Sequence, residues 1–89
     1  MGEPWRDLRV GDRIRVVRFP SDWERPDYHV PPCTRRLYRL LIERGRPVRV
    51  YEVDEDGLPW VRCRFRLGDG WEHHFLAVND DSWVRVSKL

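Results

Sequence analysis

The 89-residue sequence has no long apolar segment, only two cysteines and a single lysine. No run approaches the roughly 20 apolar residues that a membrane-spanning helix needs. The polar start, residues 1–9, lacks the apolar stretch of a secretory signal. Two cysteines are too few for the disulfide framework of a small secreted domain. We therefore expect a cytoplasmic protein without membrane association.

Positive charge is present but modest, since the formal net charge is only +2. A strongly basic nucleic-acid binder usually carries more. The charge is uneven: residues 1–50 hold 12 basic and 7 acidic side chains, and residues 51–89 hold 5 and 8. Nearly all basic residues are arginine, which favours bidentate and stacking contacts, although a GC-rich genome would produce the same bias. Eleven aromatic residues help so short a chain to form one core.

Residues 60–67 show the clearest pattern, an alternation of apolar and basic side chains with no break in phase. A period of two is typical of a strand with one buried face. The predicted inward set is Val61, Cys63, Phe65 and Leu67, and the predicted outward set is Trp60, Arg62, Arg64 and Arg66. This strand therefore predicts both a core-facing side and a basic outer side.

A first strand is predicted over residues 13–19, and its apolar phase switches partway, which indicates a bend. Residues 20–32 contain four prolines and predict an irregular loop. A helix follows over residues 35–44, with Thr34 as N-cap, Gly45 at the C-terminal end and Pro47 preventing continuation. Its apolar stripe comprises Leu37, Tyr38, Leu41 and Ile42, which we expect to pack on the sheet.

Two hairpins are predicted after the helix. Residues 48–53 lead through the acidic loop 54–57 into the Trp60 strand, a register that puts Val50 opposite Val61 and Tyr51 opposite Trp60. The same register puts Arg49 opposite Arg62.

The second predicted hairpin has a three-residue loop, 68–70. That loop puts Arg66 opposite Glu72 and Arg64 opposite His74, outside the core, and a favourable charge pair across strands supports it. A two-residue loop would turn Glu72 and His74 into the core, so we reject it here. A turn at residues 79–82 and a last strand at 83–86, with Val84 and Val86 inward, complete the prediction.

This order of elements resembles the SH3-like small β-barrel over about residues 10–86, within one domain of residues 1–89. The shared features are a strand after Gly11-Asp12, a long loop, two hairpins, a tight turn and a short last strand. Trp60, after its acidic loop, is similar in place to the ligand-stacking tryptophan of SH3 domains. The resemblance implies a five-stranded antiparallel barrel, here with a helix inserted between strands 1 and 2, like bacterial SH3-like proteins of unassigned role. The chain lacks the Ala-Leu-Tyr-Asp-Tyr motif of true SH3 domains.

Chemistry-bearing residues are sparse. Cys33, Cys63, His73 and His74 have ligand character, but no Cys-x-x-Cys pair supports a zinc site. The acidic loop 54–56 lacks the later glutamate of a calcium loop. No nucleophile, base and acid combination stands out. We therefore predict no metal, no cofactor and no catalysis.

The candidate binding residues lie on the outer side of the central hairpin: Arg49, Tyr51, Trp60, Arg62 and Arg64. An aromatic anchor beside guanidinium groups suits a protein or peptide partner of a monomeric, non-enzymatic module. The first alternative is single-stranded nucleic acid, whose bases would stack on the rings. The second alternative is purely structural, with the helix 35–44 covering Tyr51 and Trp60.

Overall fold

One antiparallel sheet and one α-helix form the regular structure of residues 3–86, which the computed structural model describes except for the side chain of Leu67. The elements in chain order are β1 (Arg13–Val16), α1 (Pro32–Arg44), β2 (Val48–Val53), β3 (Pro59–Leu67), β4 (Gly70–Ala77) and β5 (Trp83–Arg85). Short 3-10 turns span Pro4–Asp7 and Ser21–Glu24. The prediction that Leu67 faces the core concerns a side chain outside this description.

The strand order is β4-β3-β2-β1-β5, and every neighbouring pair is antiparallel. The predicted mainly β fold with five strands, and a helix between the first two, is confirmed. No hydrogen-bonded pairing joins β4 to β5 within residues 3–86, so the sheet is not closed into a barrel. Both β4 and β5 are therefore edge strands.

Helix α1 begins at Pro32, with Pro31 at the N-cap position, so the Thr34 cap is wrong. Proline suits the first position because its missing N–H would have no helical partner there. The predicted stop is confirmed: Gly45 has φ 64°, a left-handed conformation that glycine adopts without strain, and its N–H donates to Leu41 O at 3.1 Å. With 13 residues, α1 is too short to cross a membrane, and residues 3–86 contain no other α-helix.

The core lies between α1 and one face of the sheet, which we call the inner face. The helix contributes Leu37, Tyr38 and Leu41, as its apolar stripe predicted. The complete buried cluster is Trp5, Leu8, Ile14, Val16, Leu37, Tyr38, Leu41, Val48, Val50, Val61, Cys63 and Val78. Burial of apolar area is the main stabilising term in folding. The packing of α1 therefore determines which face of each strand lies in the core and which face stays accessible.

The sheet ends differ in detail from the prediction. β1 stops at Val16, and the following N–H groups of Val17 and Arg18 both donate to Ser82 O, which bends the chain where the phase switch occurs. In β5, Trp83 lies opposite Val16 and packs against the core, whereas Val84 is exposed. The inward placement of Val84 is therefore wrong, since pairing with β1 shifts the last strand by one residue.

The β3–β4 hairpin has a two-residue loop, so the predicted three-residue loop is wrong. Leu67 pairs with Gly70, and Gly68 takes a left-handed φ of 59°. Phe65 consequently faces Glu72 and Arg66 faces Trp71, so the predicted Arg66–Glu72 pair is wrong. Because side chains alternate along a strand, this single step moves every β4 side chain to the other face.

A partner on the helix explains why the rejected register is stable. Arg36 Nη1 donates to Glu72 Oε1 at 2.6 Å, and His74 Nε2 contacts the same oxygen. Glu72 and His74 are half-buried on the inner face, at the rim of the core. A polar group is costly to bury only when it is unpaired, and α1 supplies the missing partner.

The β2–β3 hairpin follows the prediction until a bulge. Val50 lies opposite Val61, as expected, but Glu52 rather than Tyr51 pairs with Trp60. The register shifts between Val50 and Glu52, which leaves Tyr51 as the extra residue of the bulge. The predicted pairing of Tyr51 with Trp60 is therefore wrong.

Candidate functional site: the outer face of the hairpins

The side of β2, β3 and β4 turned away from α1 forms a surface of rings and guanidinium groups, which we call the outer face. Its strands are held flat against the core by the buried residues of the opposite side. The members of the outer face are Arg49, Tyr51, Arg62, Arg64, Arg66, Trp71, His73 and Phe75. Both flanking hairpins contribute, so the surface spans three adjacent strands.

Rings and cations alternate across this surface in two groups. In the first, the Arg62 guanidinium lies 5.3 Å from the Tyr51 ring centroid, and Tyr51 meets Phe75 edge-on at 6.0 Å. In the second, Arg64 and Arg66 lie 4.6 and 5.6 Å from the Trp71 ring centroid. Guanidinium groups so placed gain cation–π stabilisation of about 0.5–1 kcal/mol at exposed sites. The side chains are thereby ordered before any ligand arrives.

The arginines of the outer face have no carboxylate partner. Within residues 3–86, none of Arg49, Arg62, Arg64 and Arg66 forms an ion pair. β1 adds Arg13, which lies directly opposite Arg49. Like charges side by side on a sheet destabilise it, so this arrangement leaves a positive surface that a negatively charged ligand would neutralise.

The aromatic residues of β4 are unusually accessible. Trp71 is 50% exposed and Phe75 is 61% exposed. Single exposed apolar residues are ordinary, but several large rings on one face mark an interaction surface more often. Because α1 packs on the inner face, it does not cover these rings, and the half-buried Tyr51 contacts Arg62 and Phe75 instead of the helix.

Four of the five predicted site residues come together. Arg49, Arg62 and Arg64 line one depression together with Trp71, and Tyr51 lies beside Arg62. Trp60 lies outside this depression: it lines a groove with Trp23, Tyr38 and the outer-face ring of Phe75. Its indole Nε1–H donates to Asp54 Oδ2 at 2.9 Å, and this bond, with backbone N–H donors of the loop, holds the pKa of Asp54 below its usual range.

Trp71, His73, Phe75 and Arg66 were not predicted as binding residues. The three-residue loop turns the first three, on β4, toward the core, and it pairs Arg66 with Glu72. A signal was present: Gly68-Asp69 is a favoured pair for a two-residue hairpin loop. In the structure Glu72 pairs instead with Arg36, which lies on α1, 36 residues away in sequence. No residue near Glu72 in the sequence indicates this partner.

No group of three or more His, Cys, Asp or Glu side chains within residues 3–86 is arranged to hold a metal. Cys63 is buried opposite His74, and burial raises the pKa of its thiol. A raised pKa disfavours the thiolate that nucleophilic catalysis and metal binding need. Cys63 therefore packs in the core as an apolar side chain.

Comparison with known proteins adds no analogy, since no family model, curated protein or solved structure matches the chain. The function must therefore be inferred from the chemistry of the outer face itself.

Proposed function

We propose that the protein is a non-enzymatic, cytoplasmic binding module whose outer face holds single-stranded nucleic acid. One observation carries the proposal: the two-residue β3–β4 loop brings Trp71 and Phe75 onto the same face as arginines that form no ion pair among residues 3–86. Exposed rings beside a positive surface are the two requirements for binding a single strand without sequence preference.

Each part of the surface has a distinct task in this proposal. Bases stack on the accessible faces of Trp71 and Phe75, and each stacked base contributes about 1–3 kcal/mol. Arg62, Arg64 and Arg66 contact the phosphates between them. Stacking requires bases whose ring faces are accessible, so a single strand fits this flat surface and a duplex does not.

A second candidate is an acidic peptide, one form of the protein or peptide partner expected first from the sequence. It is favoured by the position of β4, an edge strand whose outward backbone groups could pair with an extended peptide. Trp71 would then be the anchor and the arginines would contact carboxylates. The two candidates differ in stacking, because only the nucleic acid presents planar rings along its length.

We also propose that the sheet is an open variant of the SH3-like small barrel. In support, β1 lies between β2 and β5, and the bulge at Tyr51 falls where β2 passes from one neighbour's pairing to the other's. Two consecutive hairpins and a short turn before the last strand agree with the same order. Small barrels curl through such bulges.

Fluorescence anisotropy with a labelled oligonucleotide of about ten nucleotides, within the usual range of site sizes, tests the proposal. We expect binding at low salt that Trp71→Ala weakens. The matched control is Tyr28→Ala, which removes a ring that is 46% exposed outside the outer face and leaves affinity unchanged. Equal loss in both variants, or no binding to the parent protein, contradicts the proposal. Tighter binding of an acidic peptide of the same charge favours the second candidate.

A further inference from the structure

Five arginines, three from residues 44–49 and two from β3, line a single depression that includes residues of both faces of the sheet, and we call it the arginine pocket. They are Arg44, Arg46, Arg49, Arg62 and Arg64. The remaining wall is formed by Pro47, Val48, Cys63 and Trp71. No carboxylate of residues 3–86 lines it, although acidic residues number 15 in the chain. This is a dense concentration of positive charge in a protein whose net charge is only +2.

The end of α1 builds the pocket. The left-handed turn at Gly45 and the adjacent Pro47 carry the chain from the helix directly into β2, so that Arg44, Arg46 and Arg49 follow within six residues. β3 supplies Arg62 and Arg64 from the neighbouring strand. The pocket therefore depends on the fold and not on one local cluster.

Arg44 is the fixed member of the set. Its Nη1 donates to Arg64 O at 3.0 Å, and its guanidinium carbon lies 4.6 Å from the Phe65 ring centroid. The Arg44 Nε is buried and has no partner within residues 3–86. Arg46 and Arg49, by contrast, are exposed and form no ion pair there. The pocket thus joins a guanidinium held by the fold to the exposed guanidiniums of Arg46 and Arg49.

The charge of the pocket exceeds what one internal phosphodiester neutralises, since a diester carries a single negative charge. A terminal phosphate monoester carries about 1.5 to 2 negative charges at neutral pH and has three acceptor oxygens. Guanidinium groups match such oxygens with paired hydrogen bonds. A concave site lined by one sign of charge also concentrates a counter-charged ligand.

We propose that the arginine pocket binds the terminal phosphate of a nucleic-acid strand whose bases stack along the outer face. Trp71 lines the pocket and also belongs to the outer face, so it is placed to stack the end nucleotide. The proposal rests on the proposed function, because it assigns an end to the same bound strand. In this proposal the protein recognises the end of a nucleic-acid strand.

The experiment compares one oligonucleotide in three forms, with a 5′-phosphate, with a 3′-phosphate and with neither. We expect one phosphorylated form to bind about tenfold more tightly than the unphosphorylated form, equivalent to roughly 1.4 kcal/mol. Which form it is identifies the end that enters the pocket. Affinities within twofold for all three forms contradict the inference and leave the proposed function standing, whereas no binding of any form contradicts both.

Two single-charge variants separate the pocket from the rest of the surface. Arg46→Gln removes an exposed guanidinium that lines the pocket, and we expect it to reduce the preference for the phosphorylated form at least threefold. Arg66→Gln is the matched control, because Arg66 lies beside Trp71 without lining the pocket. It should weaken all three forms by the same factor. A preference reduced equally by both variants contradicts the assignment.

Inorganic pyrophosphate gives a readout that does not depend on bases. We expect it to displace the phosphorylated oligonucleotide from the parent protein at lower concentration than from Arg46→Gln. Displacement at the same concentration in both proteins, at constant ionic strength, would contradict a phosphate site at this position.

Discussion

The inner and outer faces of the same three strands use arginine in opposite ways. On the inner face, Arg36 of α1 is paired with Glu72, and Arg44 is held by Arg64 O and the Phe65 ring. On the outer face, Arg62, Arg64 and Arg66 contact aromatic rings and form no ion pair within residues 3–86. Arginine is a structural element on one side and an unneutralised charge on the other.

The comparison shows where an ionic interaction stabilises this fold. Glu72 is half-buried, and the Arg36 guanidinium and His74 hold its pKa below the usual range. The pair joins α1 to β4 at the rim of the core, where a lone carboxylate would be costly. Pairs such as Arg25–Asp22 are fully at the surface, where the expected contribution is small.

The largest expected effect is on the inner face. Leu41 is 2% exposed and central to the helix–sheet contact. Leu41→Ala should lower the free energy of unfolding by about 2–5 kcal/mol, through lost burial and the cavity left behind. Urea denaturation measures it. A loss below about 1 kcal/mol would mean that α1 is not docked as described, since typical surface changes stay within about 0.5 kcal/mol.

Trp71→Ala on the outer face should show the reverse pattern. We expect oligonucleotide binding to weaken by about 1–3 kcal/mol, the contribution of one stacked base. Stability should fall by no more than about 2 kcal/mol, the contribution of the two cation–π contacts with Arg64 and Arg66, because the ring is half exposed and no cavity forms. Anisotropy and urea denaturation on the same sample separate the two. A large stability loss would show that the face is part of the core.

Salt dependence sharpens the comparison further. Each phosphate contact on a single strand contributes about 0.7 to the slope of log affinity against log salt concentration. Arg62→Gln should therefore lower the slope by about 0.7. Arg36→Gln on the inner face, measured where the protein stays folded, should leave the slope unchanged. Equal slopes in the parent protein and Arg62→Gln would remove Arg62 from the phosphate-binding set.

The smallest expected effect is on acid stability. Because the folded-state pKa of Glu72 is lowered, its contribution is complete above the ordinary glutamate pKa of about 4.3 and is lost as pH falls through the lowered value. Glu72→Gln should therefore flatten the fall in stability below about pH 4. The control is Asp69→Asn in the exposed β3–β4 loop, which removes a carboxyl group without touching the Arg36–Glu72 pair. An unchanged profile in Glu72→Gln would contradict the role of the Arg36 pair.

Local patterns predicted much of this architecture. The alternation in β3, the Val50–Val61 register and the stop at Gly45 all depend on neighbours in sequence, and the structure agrees with each. The β3–β4 register depends on Arg36, which is distant in sequence. The bulge at Tyr51 has no glycine or other residue in the sequence that predicts it. The site was therefore found in part: its arginines were predicted, and its most exposed rings were not.

The two-residue turn at Gly68-Asp69 sets a parity rule for the evolution of this hairpin. Gaining or losing one residue there would exchange the environments of Glu72 and Trp71, exposing the helix's ion-pair partner and burying the stacking ring. Gaining two residues would keep each side chain on its own side. Natural variants of this loop should therefore differ in length by an even number of residues. The length of one short turn thus constrains the core and the binding surface together.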